Sequence, residues 1–167
     1  MNINKITIII VIYNSSNLIF DCLKSLKNFK IIIVDNGKNS EFLNKFEKQN
    51  NISIISKNKN LGFGNAINFA FQKVTSEFFL ILNPDIIIEE KSILKLLETA
   101  SNYNNCAIAA PLNIPDHDSF GILPEKRNLY EKNQNHFGIY KKYENITPEG
   151  ELCVDVSKGC ALLVNSK

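Results

Sequence analysis

Four short polar stretches carry the residue types needed for chemistry on a phosphorylated ligand: Tyr13-Asn14-Ser15, Asp35-Asn36, residues 56–60, and Asn83-Pro84-Asp85. A tyrosine ring offers a stacking face for a flat heterocycle. A carboxylate can accept from the N–H of such a ring, and a second carboxylate can hold a hard divalent cation that bridges diphosphate oxygens. On that chemistry Tyr13 stacks on a nucleobase, Asp35 accepts from its N–H, and Asp85 holds Mg²⁺ or Mn²⁺. Each stretch also has a plain structural reading. Asp35-Asn36-Gly37 and Asn83-Pro84-Asp85 are good turn sequences, and Tyr13 can simply cover the end of a strand. Lys57 and Lys59 read as solvated loop charges, and His117 and His136 belong to no ligand pattern.

The elements that must position these stretches follow from hydrophobic periodicity. β-Branched runs at residues 7–12, 31–34, 52–55 and 77–82 alternate with amphipathic stretches, the pattern of successive βαβ units around a mostly parallel sheet. Ser15 or Ser16 can cap a first helix with Leu18, Ile19, Cys22, Leu23 and Leu26 on one face. Ser40 opens a second, through Phe42, Leu43 and Phe46. Gly62-Phe63-Gly64 precedes a third with Ala66, Ile67, Phe69, Ala70 and Val74, and Ile93, Leu94, Leu96 and Leu97 mark a fourth. A fifth strand is expected at 106–110, where Pro111 halts it. Residues 112–151 are rich in Asn, Pro, Asp and Lys and suit a long excursion, after which 152–156 and 160–164 read as strands.

In a doubly wound sheet of this kind, three strands build outward and the fourth returns to the other side of the first. A crevice then opens at their C-terminal ends. The four polar stretches all follow strands and are delivered to that edge.

Composition narrows the class. A chain of 167 residues, 44% hydrophobic, suits one domain, with residues 1–111 as its ligand-binding half and 112–167 as an incomplete remainder. The net charge of +2 is too small and scattered for a nucleic-acid face. Apolar runs at 6–13 and 78–82 fall well short of the ~20 residues a spanning helix needs. The run after Lys5 imitates a short secretory signal, but no small-x-small cleavage site follows. Cys22, Cys106, Cys153 and Cys160 lack metal or disulfide spacing, so reduced thiols and a cytoplasmic setting are expected. A nicotinamide-binding domain is disfavoured because its glycines must follow the first strand, and here Gly62 and Gly64 follow the third. No P-loop sequence is present.

The runs Thr7-Ile8-Ile9-Ile10-Val11-Ile12-Tyr13-Asn14, Ile33-Val34-Asp35-Asn36, the segment 60–68 beginning Asn60-Leu61-Gly62-Phe63-Gly64-Asn65, and Leu80-Ile81-Leu82-Asn83-Pro84-Asp85 resemble family 2 glycosyltransferases, particularly the rhamnosyltransferase-like branch. The resemblance is close over residues 5–111, weakens through the excursion, and returns at 156–164. It implies a GT-A fold, an inverting transfer from a nucleoside-diphosphate sugar, possible donors being dTDP-rhamnose and UDP-sugars, and a divalent cation. By position it implies that Tyr13, Asn14, Asp35, Asn60, Gly62, Asn65 and Asn83 border the nucleotide sugar and that Asp85 binds the metal. Asn83 departs from the family's two-acid D-x-D form.

The same resemblance places the general base in an acidic motif beyond the last strand, so this chain is expected to be C-terminally truncated and to lack it. No catalytic residue is therefore assigned. A glycan or lipid-linked acceptor is implied, with the protein cytoplasmic or peripheral at the inner face of the membrane. Apolar surface left open by the truncation is expected to be covered in a homo-oligomer. The alternative is a non-catalytic donor-binding or assembly module.

Overall fold

Isoleucine-rich runs become the centre of a sheet in the computed structural model, which describes residues 2–14, 18–37, 43–46, 48–57, 59–111, 120–121, 151, 156–157 and 159–167. After a single 3₁₀ turn at Ile3–Lys5, strand β1 (Ile6–Ile12) is buried along its whole length, as a strand covered on both faces must be. Helix α1 (Ile19–Ser25) leads to β2 (Lys30–Asp35), which is followed by β3 (Ile52–Ser56), α2 (Phe63–Phe71), β4 (Phe78–Leu82), α3 (Glu90–Asn102) and β5 (Ile108–Ala109). Strands β6 (Phe120–Gly121), β7 (Val156–Ser157) and β8 (Ala161–Asn165) complete the described elements.

The chain forms two compact units: Met1–Ala109 with Gly159–Lys167, and Ala110–Lys158. In the first, six strands run in the order β3-β2-β1-β4-β8-β5. β1 pairs in parallel with both β2 and β4, and β2 with β3, so the fourth strand returns beside the first as expected. In the second, β6 and β7 form an antiparallel pair.

Pleat parity sorts the core. Ile6, Ile8, Ile10 and Ile12 of β1 and Ile31 and Ile33 of β2 face α1 and α3, where Ile19, Cys22, Leu23, Ile93, Leu96 and Leu97 meet them. Ile9, Val11, Ile32 and Val34 face the other way, onto Ala66 and Ala70 of α2. Burying one isoleucine side chain contributes ~1.5–3 kcal/mol, so β1, buried on both sides, anchors both layers. Thr7 is the one polar residue buried within β1, and the Ser76 hydroxyl, 2.7 Å away, bonds to its Oγ1.

Several expectations change. Strand β5 keeps only two residues and lies at the sheet edge, because β8 runs antiparallel beside β4 and takes the place next to it over five residue pairs. Ala161 and Leu163 of β8 join Ala109 of β5 in the α1/α3 core, while Ile108, on the opposite face of β5, is exposed. Leu18 is not on the buried face of α1: it precedes the first helical residue and is 55% exposed. Ser15, Ser16 and Ser40 lie outside the described residues, as do 152–155 of the strand expected there. Leu43 and Phe46 are buried.

Candidate nucleotide-sugar site

Parallel strands deliver their C-terminal loops to one edge, and the strand order reverses between β1 and β4, which opens a crevice there. A cleft of about 400 Å³ occupies this edge. It is lined by the polar residues Asn36, Asn60, Asn83 and Asp85, the apolar or aromatic residues Val11, Tyr13, Leu18 and Phe63, and Gly62 and Pro84. Five of the eight residues singled out from the sequence, Tyr13, Asn60, Gly62, Asn83 and Asp85, therefore line one cavity. Asn14, Asp35 and Asn65 do not.

Tyr13 leaves β1 with its ring 53% exposed, and Leu18 and Phe63 are similarly open at 55% and 49%. Three large apolar side chains held partly in solvent around one cleft suit a flat ring sandwiched or leaned against them. Asn14 turns the chain away from the strand with φ of 52°, a left-handed conformation that asparagine tolerates better than most residues.

Asp35 and Asn36 divide by parity. Asp35 continues the Ile31–Ile33 series and is 1% exposed; its Oδ1 accepts the Gly37 N–H at 3.0 Å, which supplies one of the bonds a buried carboxylate requires. Asn36 continues the opposite series, toward α2. Its backbone N–H extends the β1–β2 ladder to the Ile12 carbonyl at 2.9 Å, while its carboxamide bridges to the β3–α2 loop. The Nδ2 group donates to Asn60 Oδ1 at 2.8 Å and Oδ1 accepts from the Leu61 N–H at 2.7 Å. Asn36 is thus a wall residue absent from the sequence-derived set. The signal was present in the alternation Ile31, Ile33, Asp35 against Ile32, Val34, Asn36.

Gly62 sets the entry to α2. It has φ of 73° and ψ of 161°, a region essentially restricted to glycine, and its N–H donates to Asn60 Oδ1 at 2.8 Å. No atom stands within 4 Å of a Cβ built there, so the requirement for glycine is conformational rather than steric. Asn65 turns back on its own helix, donating to the Leu61 carbonyl at 3.0 Å.

The Asn83-Pro84-Asp85 turn is held from two sides. The Asn83 N–H donates to the Cys160 carbonyl at 2.9 Å, and the Cys22 thiol lies 3.9 Å from the Asn83 carbonyl. Burial pushes the Cys22 thiol up to about 12, with the Asp85 carboxylate adding to the rise, so the free thiol stays protonated at neutral pH. Asp85 itself is exposed and forms no ion pair among the described residues. Among those residues no three His, Cys, Asp or Glu side chains gather into a metal-holding group. One free carboxylate beside Asn83 therefore fits an ion whose remaining positions are filled by ligand oxygens, not an ion held by protein alone.

Comparison with known proteins follows the same lines. Residues 7–163 match Glycosyl transferase family 2. The chain is 30% identical over 122 residues to the teichoic acid poly(glycerol phosphate) polymerase of Staphylococcus epidermidis, covering 66% of this chain and 16% of that protein. It is 32% identical over 103 residues to the poly(ribitol-phosphate) beta-glucosyltransferase of Bacillus spizizenii, covering 54% and 16%. The chain thus spans about a sixth of the length of these relatives. Among solved structures, S. aureus TarS 1–349 superposes with a TM-score of 0.54 at 17% identity, over 71% of this chain and 41% of TarS 1–349. The Pyrobaculum calidifontis mannosyltransferase PcManGT, in complex with GDP-Man and Mn²⁺, gives 0.56 at 15% identity, over 65% and 35%. At those identities the likeness speaks for the GT-A fold. With the family match extending from the first strand to the last, the chain belongs to glycosyl transferase family 2.

Proposed function

We propose that the cleft binds a nucleoside-diphosphate sugar and that the chain is the donor-binding part of an inverting glycosyltransferase. The observation that carries this is the meeting of Tyr13, Asn60, Asn83 and Asp85 around a single 400 Å³ cavity at the reversal point of the sheet. Tyr13 stacks on the base. Asp85, with Asn83 beside it, would hold Mg²⁺ or Mn²⁺, and the ion would neutralise charge gathering on the diphosphate leaving group. An acceptor hydroxyl attacks the anomeric carbon from the face opposite the diphosphate, as an inverting transfer requires, and its proton passes to a general base.

A UDP-sugar is the foremost donor, since TarS 1–349 has a structure in complex with UDP-GlcNAc. The rhamnosyltransferase-like motifs make dTDP-rhamnose its competitor. The names of the two curated relatives favour a polyol-phosphate chain as the glycan acceptor; that the acceptor is lipid-linked at the inner face of the membrane is the implication of the family resemblance alone. Calorimetry with UDP, dTDP and GDP in the presence of Mn²⁺ tests the reading. UDP should bind most tightly and lose most of its affinity when the metal is chelated. Absence of binding by all three nucleotides ends the proposal.

A further inference from the structure

Asn60 Oδ1 accepts two bonds, from Asn36 Nδ2 and from the Gly62 N–H, both at 2.8 Å. That pair of donors fixes which end of the Asn60 carboxamide is oxygen. The other end is therefore NH₂, and it has no partner among the described residues. Asn60 is exposed and lines the cleft, whereas Asn36 behind it is 3% exposed and has its own carboxamide bonded at both ends.

We infer that Asn36 is a positioning residue that locks Asn60 with its Nδ2 group toward the cleft, where it donates to an acceptor oxygen of the bound nucleotide. The inference rests on the nucleotide reading of the cleft and adds a hydrogen-bond polarity to it: a donor at position 60, imposed from position 36. Only a carboxamide at 36 serves. Aspartate lacks the N–H that meets Asn60, and serine is too short to meet both Asn60 and Leu61. The bond crosses between the loops after β2 and β3, so it also fixes the spacing of the wall that carries Gly62 and Phe63.

Calorimetry with UDP and Mn²⁺ on the full chain separates this from a structural role. Asn60→Asp preserves an oxygen facing Asn36 and Gly62 but replaces the outward donor with an acceptor. UDP affinity should fall by about tenfold or more with little change in melting temperature. Asn36→Ala should weaken UDP by a similar factor. With Asn60→Ala also measured alone, the Asn36→Ala/Asn60→Ala double variant should be no worse than the weaker-binding of the two single alanine variants, because both changes remove one coupled unit. Asn60→Asp binding UDP within twofold of the parent overturns the inference, as does a double variant whose losses multiply. Should Asn36→Ala fail to fold, the exposed Asn60→Asp variant decides alone. A parent chain that binds no nucleotide removes the site reading together with the inference, whereas a parent that binds UDP with an indifferent Asn60→Asp variant removes the inference only.

Discussion

Two acids bracket strand β4 and meet opposite fates. Glu77, just before the strand, pairs with Lys5 at 2.8 Å, and its backbone carbonyl accepts the Ser166 N–H. Its neighbour Ser76 bonds to Thr7 and to the Phe78 carbonyl, while the Ser166 hydroxyl is buried at this end without a hydrogen-bond partner among the described residues. Asp85, three residues beyond the strand, has no ion-pair partner among the described residues and stands in the cleft wall. The two carboxylates are chemically alike. What separates them is the end of the sheet at which each emerges: Asp85 stands at the C-terminal end of β4, where the strand order opens a crevice, and Glu77 at the opposite end.

The largest effect that tests this contrast is expected from Asp85→Asn. Removing the carboxylate that lines the cleft should cost about a hundredfold in Mn²⁺-dependent UDP affinity, ~2.7 kcal/mol, by calorimetry, with the melting temperature nearly unchanged. Metal-dependent binding that survives the substitution would erase the functional difference between the two ends. Next comes Gly62→Ala. Its backbone conformation is open to few other residues, so the variant should lose about 1–3 kcal/mol in denaturant unfolding and weaken nucleotide binding as α2 shifts.

Cys22, packed beneath the Asn83-Pro84-Asp85 turn, gives a smaller, pH-dependent effect. Its folded pKa lies above the unfolded one, so the stability it contributes is complete below pH 9 and is lost as pH rises toward 12. Between pH 8 and pH 10 the parent should lose ~1 kcal/mol more than Cys22→Ala in paired urea titrations. Equal slopes would show that the thiol ionises freely and that the turn is not sealed from below. The smallest effect belongs to Glu77→Gln. The Lys5 hydrogen bond holds the Glu77 carboxyl below its usual range, partly opposed by desolvation. Its stabilisation is thus present above the unfolded carboxylate pKa and fades as pH falls through the folded one. The pair is substantially exposed, so the acid limb of the stability curve should flatten only slightly, and UDP affinity should stay as in the parent.

Much of the fold was legible because its signals are local. The isoleucine runs of β1 and β2 name central strands, Pro84 and Pro111 end strands in place, and the spacing of Ile93, Leu96 and Leu97 marks one helical face. Within the site, Tyr13, Asn60, Gly62, Asn83 and Asp85 were legible for the same reason: each follows a strand or opens a helix, and parallel strands carry such residues to a common edge. Leu18 was misplaced because its spacing fits the α1 stripe. Periodicity cannot tell the residue before a helix from the first residue within it.

Sequence alone determined the α/β alternation, the glycine at the entry to α2 and the polar character of the strand ends, since all depend on neighbours within a few positions. Tertiary structure decided what depends on distant pairing. It placed β8 between β4 and β5, reducing β5 to two edge residues. It turned Asp35 into the α1/α3 side and Asn36 across to Asn60, 24 positions along the chain. Alternation puts Asp35 and Asn36 on opposite faces, but a strand's partner and the helices and loops that meet each face are fixed by register and by the packing of remote segments, which a linear pattern does not encode.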